Sequence, residues 1–172
     1  MKTSVRAAFC GILTALAVLF MLLVPVLPIL VYCCPLLSGL CVAFAVEECG
    51  VRHSFGVFAA ASILSLILVA DKEAVIVFIL FTGAYPILKN IVKSVKTPGR
   101  IAVKLLFINA AAVAYYFAAT AVFAVPRDSF GDAPILLLLL TNVIMLMYDK
   151  VIDKYCLVYR NRFREKIMKG KW

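Results

Sequence analysis

Charge is scarce in this chain. Asp, Glu, Lys and Arg supply 16 % of its 172 residues while 65 % are hydrophobic, against roughly a quarter charged in a soluble domain. A water-soluble core has no use for that much apolar surface, which excludes an ordinary soluble fold. Catalytic signatures are equally sparse. The single histidine, His53, lies in a charged stretch between apolar runs, and there is no GxSxG, no HExxH and no glycine-rich phosphate loop. Nucleophilic hydrolysis, zinc chemistry and nucleotide binding each need one of these patterns. The acids flank the apolar runs instead of converging within one, so metal-assisted phosphoryl transfer has no ligand set. These absences predict that the chain is not an enzyme and holds no catalytic residue, metal or cofactor. ATP-driven work would need a nucleotide-binding domain that does not fit in this length, and so a partner. The six cysteines, Cys10, Cys33, Cys34, Cys41, Cys49 and Cys156, lack Cys-x-x-Cys spacing. They read as buried apolar thiols, not as a disulfide or metal framework.

What the chain has in quantity is uncharged sequence. The runs 7–46, 54–70, 74–88, 105–126 and 133–148 carry no charged residue, and each is at or near the roughly 20 residues that cross a bilayer. The first is long enough for two crossings, with Pro25 and Pro28 where the turn would fall. The sequence therefore predicts an all-α polytopic membrane protein, with six transmembrane helices in 1–151 and a basic cytoplasmic tail in 152–172. A net charge of +9 suits nucleic acid in principle, but its placement decides otherwise. With the N terminus inside, all of the eighteen Lys and Arg residues except Lys72 and Arg127 fall on the cytoplasmic side. This is the positive-inside bias, and it predicts both termini inside and no nucleic-acid partner. Lys2 and Arg6 before an apolar run resemble a secretory signal, yet the run continues past Pro28, so the segment is expected to stay as helix 1.

Within the helices, spacing marks faces. Helix 1, about 6–24, carries Ala7, Gly11 and Ala15 four apart, a smooth strip for close helix approach either within the monomer or against another subunit. Glu47, Glu48, Arg52 and His53 form a tight inner turn between helices 2 and 3. In helix 4, Phe78, Thr82, Tyr85 and Lys89 share one face, and Pro86 is expected to kink or loosen the helix. Lys89 lies roughly 22 Å down an apolar core of about 30 Å. It either snorkels to the inner surface or pairs inward with Asp149 or Asn109. A basic loop from Lys93 to Lys104 anchors the topology, contacts anionic lipids and offers a docking surface. Helix 5, about 101–125, places Asn109, Ala112 or Val113, Tyr116 and Thr120 on a polar face, with Tyr115 and Tyr116 near mid-membrane and needing partners for their hydroxyls. The outer loop Pro126 to Pro134, with Arg127, Asp128 and Asp132, is longer than a turn requires and long enough to cover a pocket. Helix 6 starts at Pro134, carries Thr141 and Asn142 near mid-depth, and reaches Asp149 at its inner end.

Six short helices, both termini inside, the Ala7-Gly11-Ala15 strip and a basic cytoplasmic face together resemble the S components of energy-coupling-factor transporters, their substrate-binding membrane subunits. Gly11 stands where that family usually has alanine, and no ligand-specific signature of a thiamine, riboflavin, biotin or folate binder is present. The resemblance implies a transmembrane coupling subunit and ATPase subunits as partners, with Ala7, Gly11 and Ala15 as the docking strip. It also implies an outward-open pocket among helices 4 to 6 for a vitamin-like small molecule, contacted by Lys72, Glu73, Thr82, Tyr116, Thr120, Arg127 and Asn142. Asp71-Lys72-Glu73 together with Tyr85-Pro86-Ile87-Leu88-Lys89 also resembles uncharacterised small membrane proteins of Gram-positive bacteria, which points to a bacterial plasma membrane and to no activity. The alternative expectation is a non-transporting scaffold of an envelope complex, with a channel or small exporter behind it.

Overall fold

The computed structural model describes residues 3–26, 31–94, 97–122 and 134–159. Among them are six helices and no strand: α1 (Thr3–Leu22), α2 (Cys33–Cys49), α3 (Val51–Leu68), α4 (Lys72–Ile91), α5 (Thr97–Val122) and α6 (Pro134–Tyr159). The joints follow from local chemistry. Gly50, at φ 81°, closes α2 and opens α3, so the turn between them contracts to one residue that only glycine adopts without strain. Ser54 Oγ then donates to the Gly50 carbonyl at 2.8 Å. At the far end of α3, Lys72 Nζ donates to the carbonyls of Leu66 and Val69 at 2.6 and 2.8 Å, taking up acceptors that the helix end leaves open. Asp71 Oδ1 accepts from the backbone N–H groups of Glu73 and Ala74 at 3.1 and 3.2 Å, an N-cap that starts α4. The triplet Asp71-Lys72-Glu73 thus ends one helix and begins the next.

Two elements form the centre. In its apolar stretch 56 % of α4 is buried, against 22 % for the corresponding stretches of α1, α3 and α5, and α2 is buried over most of its length. On one side of this pair Leu13, Ala17 and Met21 of α1 and Val57 and Ala61 of α3 pack against Val42, Ala45, Val75 and Phe78. On the other, Ile108 and Ala111 of α5 and Met145, Tyr148 and Ile152 of α6 pack against Leu40, Ala43, Phe81 and Tyr85.

The outside of this bundle is as apolar as its inside. Ile12, Ile67, Leu106 and Met147 are 65 %, 72 %, 71 % and 65 % exposed, and such residues recur along every side. Water would penalise a continuous apolar coat, whereas lipid tails do not. Four stretches, Ser4–Leu22, Val51–Leu68, Lys72–Ile91 and Gly99–Thr120, are long and apolar enough to cross a membrane, and the chain is a membrane protein. α2, at 17 residues, and α6, which carries Asp149, Lys150, Asp153 and Lys154, complete the all-helical fold. Part of the expected basic loop is helical: α5 begins at Thr97, because Pro98 sits in the first turn, where its missing N–H would have no partner. α6 runs on to Tyr159, past the boundary expected at 151.

Candidate functional site

The middle of α4 departs from a regular helix. Residues Phe78–Gly83 form a wide turn with i→i+5 geometry, an arrangement that holds one residue more per turn than an α-helix and recurs at functional sites. Pro86 follows one turn later. Having no N–H, it leaves the Thr82 carbonyl, four residues back, without its helical donor. Tyr148 Oη of α6, buried, lies 3.4 Å from that carbonyl and 3.3 Å from the carbonyl of Leu36 in α2. The Thr82 hydroxyl donates to the Pro35 carbonyl of α2 at 2.8 Å. Gly39 makes the approach possible, since a β-carbon there would collide with Thr82 O and Tyr148 Oη. A few polar groups thereby reconnect α2, α4 and α6 where proline broke the ladder.

One turn below, the expected face is present and buried: Phe78, Thr82, Tyr85 and Lys89 are each under 7 % exposed. Lys89 does not snorkel. Its Nζ meets Asp149 Oδ1 at 2.6 Å, the Asp149 carbonyl at 2.7 Å and Asp153 Oδ1 at 2.8 Å. Lys104 Nζ of α5 takes the other carboxylate oxygen, Asp149 Oδ2, at 2.7 Å and sits 6.0 Å from the centre of the Tyr85 ring. One carboxylate therefore bridges two ammonium groups that are 8 % and 10 % exposed, joining α4, α5 and α6 at a single level. Interior charge is tolerated in a membrane only when paired in this way. A small cleft runs alongside, between Ala43 and Val46 of α2, Pro86 and Lys89 of α4, and Ile152 and Cys156 of α6.

The residues expected to bind ligand are dispersed over separate bonds. Lys72 closes α3. The Glu73 carboxylate accepts from Tyr115 Oη at 2.6 Å, which joins α4 to α5, and the half-buried Tyr116 stacks edge-on against Phe117 with ring centres 6.1 Å apart. Thr82 is held by α2. The Thr120 hydroxyl returns to its own helix, to the Tyr116 carbonyl at 3.0 Å. Asn142 Nδ2 donates to Asn109 Oδ1 at 3.1 Å and to the Leu138 carbonyl at 2.9 Å, linking α5 and α6. Arg127 lies outside the described residues. Glu73 and Asp71 also lie near Tyr32: partial burial and then these two carboxylates push its phenol above the ordinary range. Ala7, Gly11 and Ala15 all lie on the exposed side of α1, and a β-carbon on Gly11 would meet nothing within 4 Å.

Lys104, expected in the basic loop among lipid contacts, is instead buried against Asp149, because α5 begins at Thr97 and carries it into the bundle. Gly39, Tyr148 and Asp153 complete the network, and for Lys104 and Tyr148 the sequence signal is position: both stand at the ends of uncharged runs, where a polar group borders the apolar core. Among the described residues no three His, Cys, Asp or Glu side chains converge as a metal site, and the cysteines are free. Comparison with protein-family models, with curated proteins and with solved structures finds no match to this chain.

Proposed function

We propose that the chain is the substrate-binding membrane subunit of an ATP-driven importer of a small, vitamin-like molecule in a bacterial plasma membrane. In this reading six helices cross with both termini inside, and separate coupling and ATPase subunits supply the energy. The observation that carries it is the strip Ala7, Gly11 and Ala15. All three face outward while α1 packs on its own bundle through Leu13, Ala17, Val18 and Met21, leaving a shallow surface for a partner helix. The distribution of charge supports the even number of crossings. Cys49 Sγ lies 3.9 Å from the Arg6 carbonyl, and Glu47, Lys89 and Asp153 border one cleft, so the expected inner groups gather at one end. Asp71, Glu73, Tyr32 and Tyr115 gather at the other.

Purification from native membrane tests the reading. Wild-type protein should recover an ATPase pair and a large membrane subunit, and Gly11→Leu should lose them while remaining folded. Undiminished recovery by Gly11→Leu removes α1 from the interface. A second reading, a non-transporting scaffold of the cell envelope, is favoured by one observation: Lys72, Thr82 and Asn142 are engaged in internal bonds, and the cleft described above lies beside Lys89, away from Glu73. Recovery of an envelope enzyme without ATPases decides for it.

A further inference from the structure

α4 is enclosed on most sides, yet its middle is built to bend. The wide turn Phe78–Gly83 and the proline that follows interrupt the regular ladder at mid-helix, and each is an established cause of a helix kink. Below the interruption, Ala84–Ile91 is tied at its end by charge: Lys89 to Asp149 and Asp153 on α6, with Asp149 also tied to Lys104 on α5. Static stability does not call for such a tie. Buried ions lose hydration that their attraction recovers only in good geometry, and apolar side chains of similar volume usually serve as well or better. A charge bridge suits parts that separate and rejoin. The cleft lined by Val46, Glu47, Lys89, Asp153 and Cys156 lies against this end of α4.

We propose that Ala84–Ile91 is a hinged arm that swings at the wide turn, that Asp149 bridging Lys89 and Lys104 is its latch, and that the swing widens the cleft beside Cys156. The geometry supplies what such a motion needs. Tyr148 Oη stands almost equally far from the Leu36 and Thr82 carbonyls, at 3.3 and 3.4 Å, so its single proton can pass from one acceptor to the other as the arm moves. Asp153, whose side chain is 65 % exposed, keeps Lys89 paired after Asp149 releases it, and Lys104 retains Asp149, so neither lysine is left alone. The arm is independent of the transport reading; a scaffold would use the same movement.

Soluble maleimide labelling of the purified full-length protein, resolved by peptide mass, tests the latch with the native cysteines. Asp149→Asn should label Cys156 about tenfold or more faster than wild type, the scale on which a broken buried ion pair shifts a local opening. Cys41, 3 % exposed in α2, should keep its rate. An unchanged Cys156, or an equal rise at Cys41 that marks loosening of the whole bundle, overturns the proposal. Should Asp149→Asn fail to fold, Pro86→Ala tests the hinge with the latch intact, because it restores a donor to the Thr82 carbonyl. Amide exchange across Ala84–Ile91 should then slow by about tenfold, and Cys156 labelling with it. Exchange as fast as in wild type, or faster, overturns the hinge.

Discussion

Gly39 lies where α2, the wide turn of α4 and the Tyr148 hydroxyl converge, and what a β-carbon would meet there is a backbone carbonyl and the hydroxyl of a buried ring. Neither can step aside without disturbing a helix. Gly39→Ala is therefore expected to destabilise by about 1–3 kcal/mol through overpacking, read as a lower thermal midpoint of the protein in detergent. Gly11→Ala makes the opposite case. Its new methyl group meets nothing within 4 Å, and helix propensity favours alanine by up to about 1 kcal/mol, so its midpoint should hold or rise. Equal stability of Gly39→Ala and wild type would show that α2 and α4 do not touch this closely. Nothing in the sequence shows which of these two glycines is crowded, since both stand inside uncharged, mostly apolar runs with an alanine four residues on. The difference is a contact with Tyr148, more than a hundred residues downstream. Lys89 was more legible: its depth marked it as either snorkelling or paired, and the arrival of α6 decided for Asp149.

Elements show the same division, at the level of turns. Four residues of α4, spaced four, three and four apart, end up buried on one face, and periodicity alone had placed them together. The wide turn that carries two of them is not legible, because it depends on how its residues meet their neighbours: the Thr82 hydroxyl bonds the Pro35 carbonyl of α2, and a β-carbon on Gly83 would lie 2.7 Å from the Phe58 ring of α3. A turn that holds one extra residue can lose one. Deleting Ile79 should convert the wide turn to α-helix and keep both halves of α4 on their present faces, whereas deleting Ile87 rotates everything after it by about 100°. The first variant should elute as a monodisperse folded protein and the second should not; matching behaviour would argue against the wide turn. In α5 the inward stripe runs Lys104, Ile108, Ala111 and Ala119, all buried, with Tyr115 partly buried among them, one residue away from the polar stripe Asn109, Tyr116, Thr120. The two stripes are held differently: Thr120 bonds back to its own helix, a local solution that needs no interior, while Asn109 bonds its own helix through Nδ2 and accepts from Asn142 of α6 through Oδ1.

For the whole molecule, orientation is the testable statement. Cys33 is exposed next to Tyr32, at the end that gathers Asp71 and Glu73, while Cys156 lies at the end that gathers Lys89 and Asp153. In intact cells a membrane-impermeant thiol reagent should label Cys33 and should reach Cys156 only after the membrane is opened. The reverse pattern would invert the molecule, and labelling of both from one side would break the six-crossing topology. The sequence by itself determined that this is an all-helical membrane protein, roughly where its helices run and which charges lie together at each end, because apolar length and charge clustering act locally and bilayer thickness sets a fixed scale. The tertiary structure alone decided which polar residues are engaged: that Lys72 closes a helix, that Glu73 takes Tyr115, that the Thr82 carbonyl stranded by Pro86 meets Tyr148, and that Asp149 serves two lysines at once. The reason is physical. In an apolar interior a buried polar group must find a partner, and the partner it finds depends on which helices happen to stand beside it.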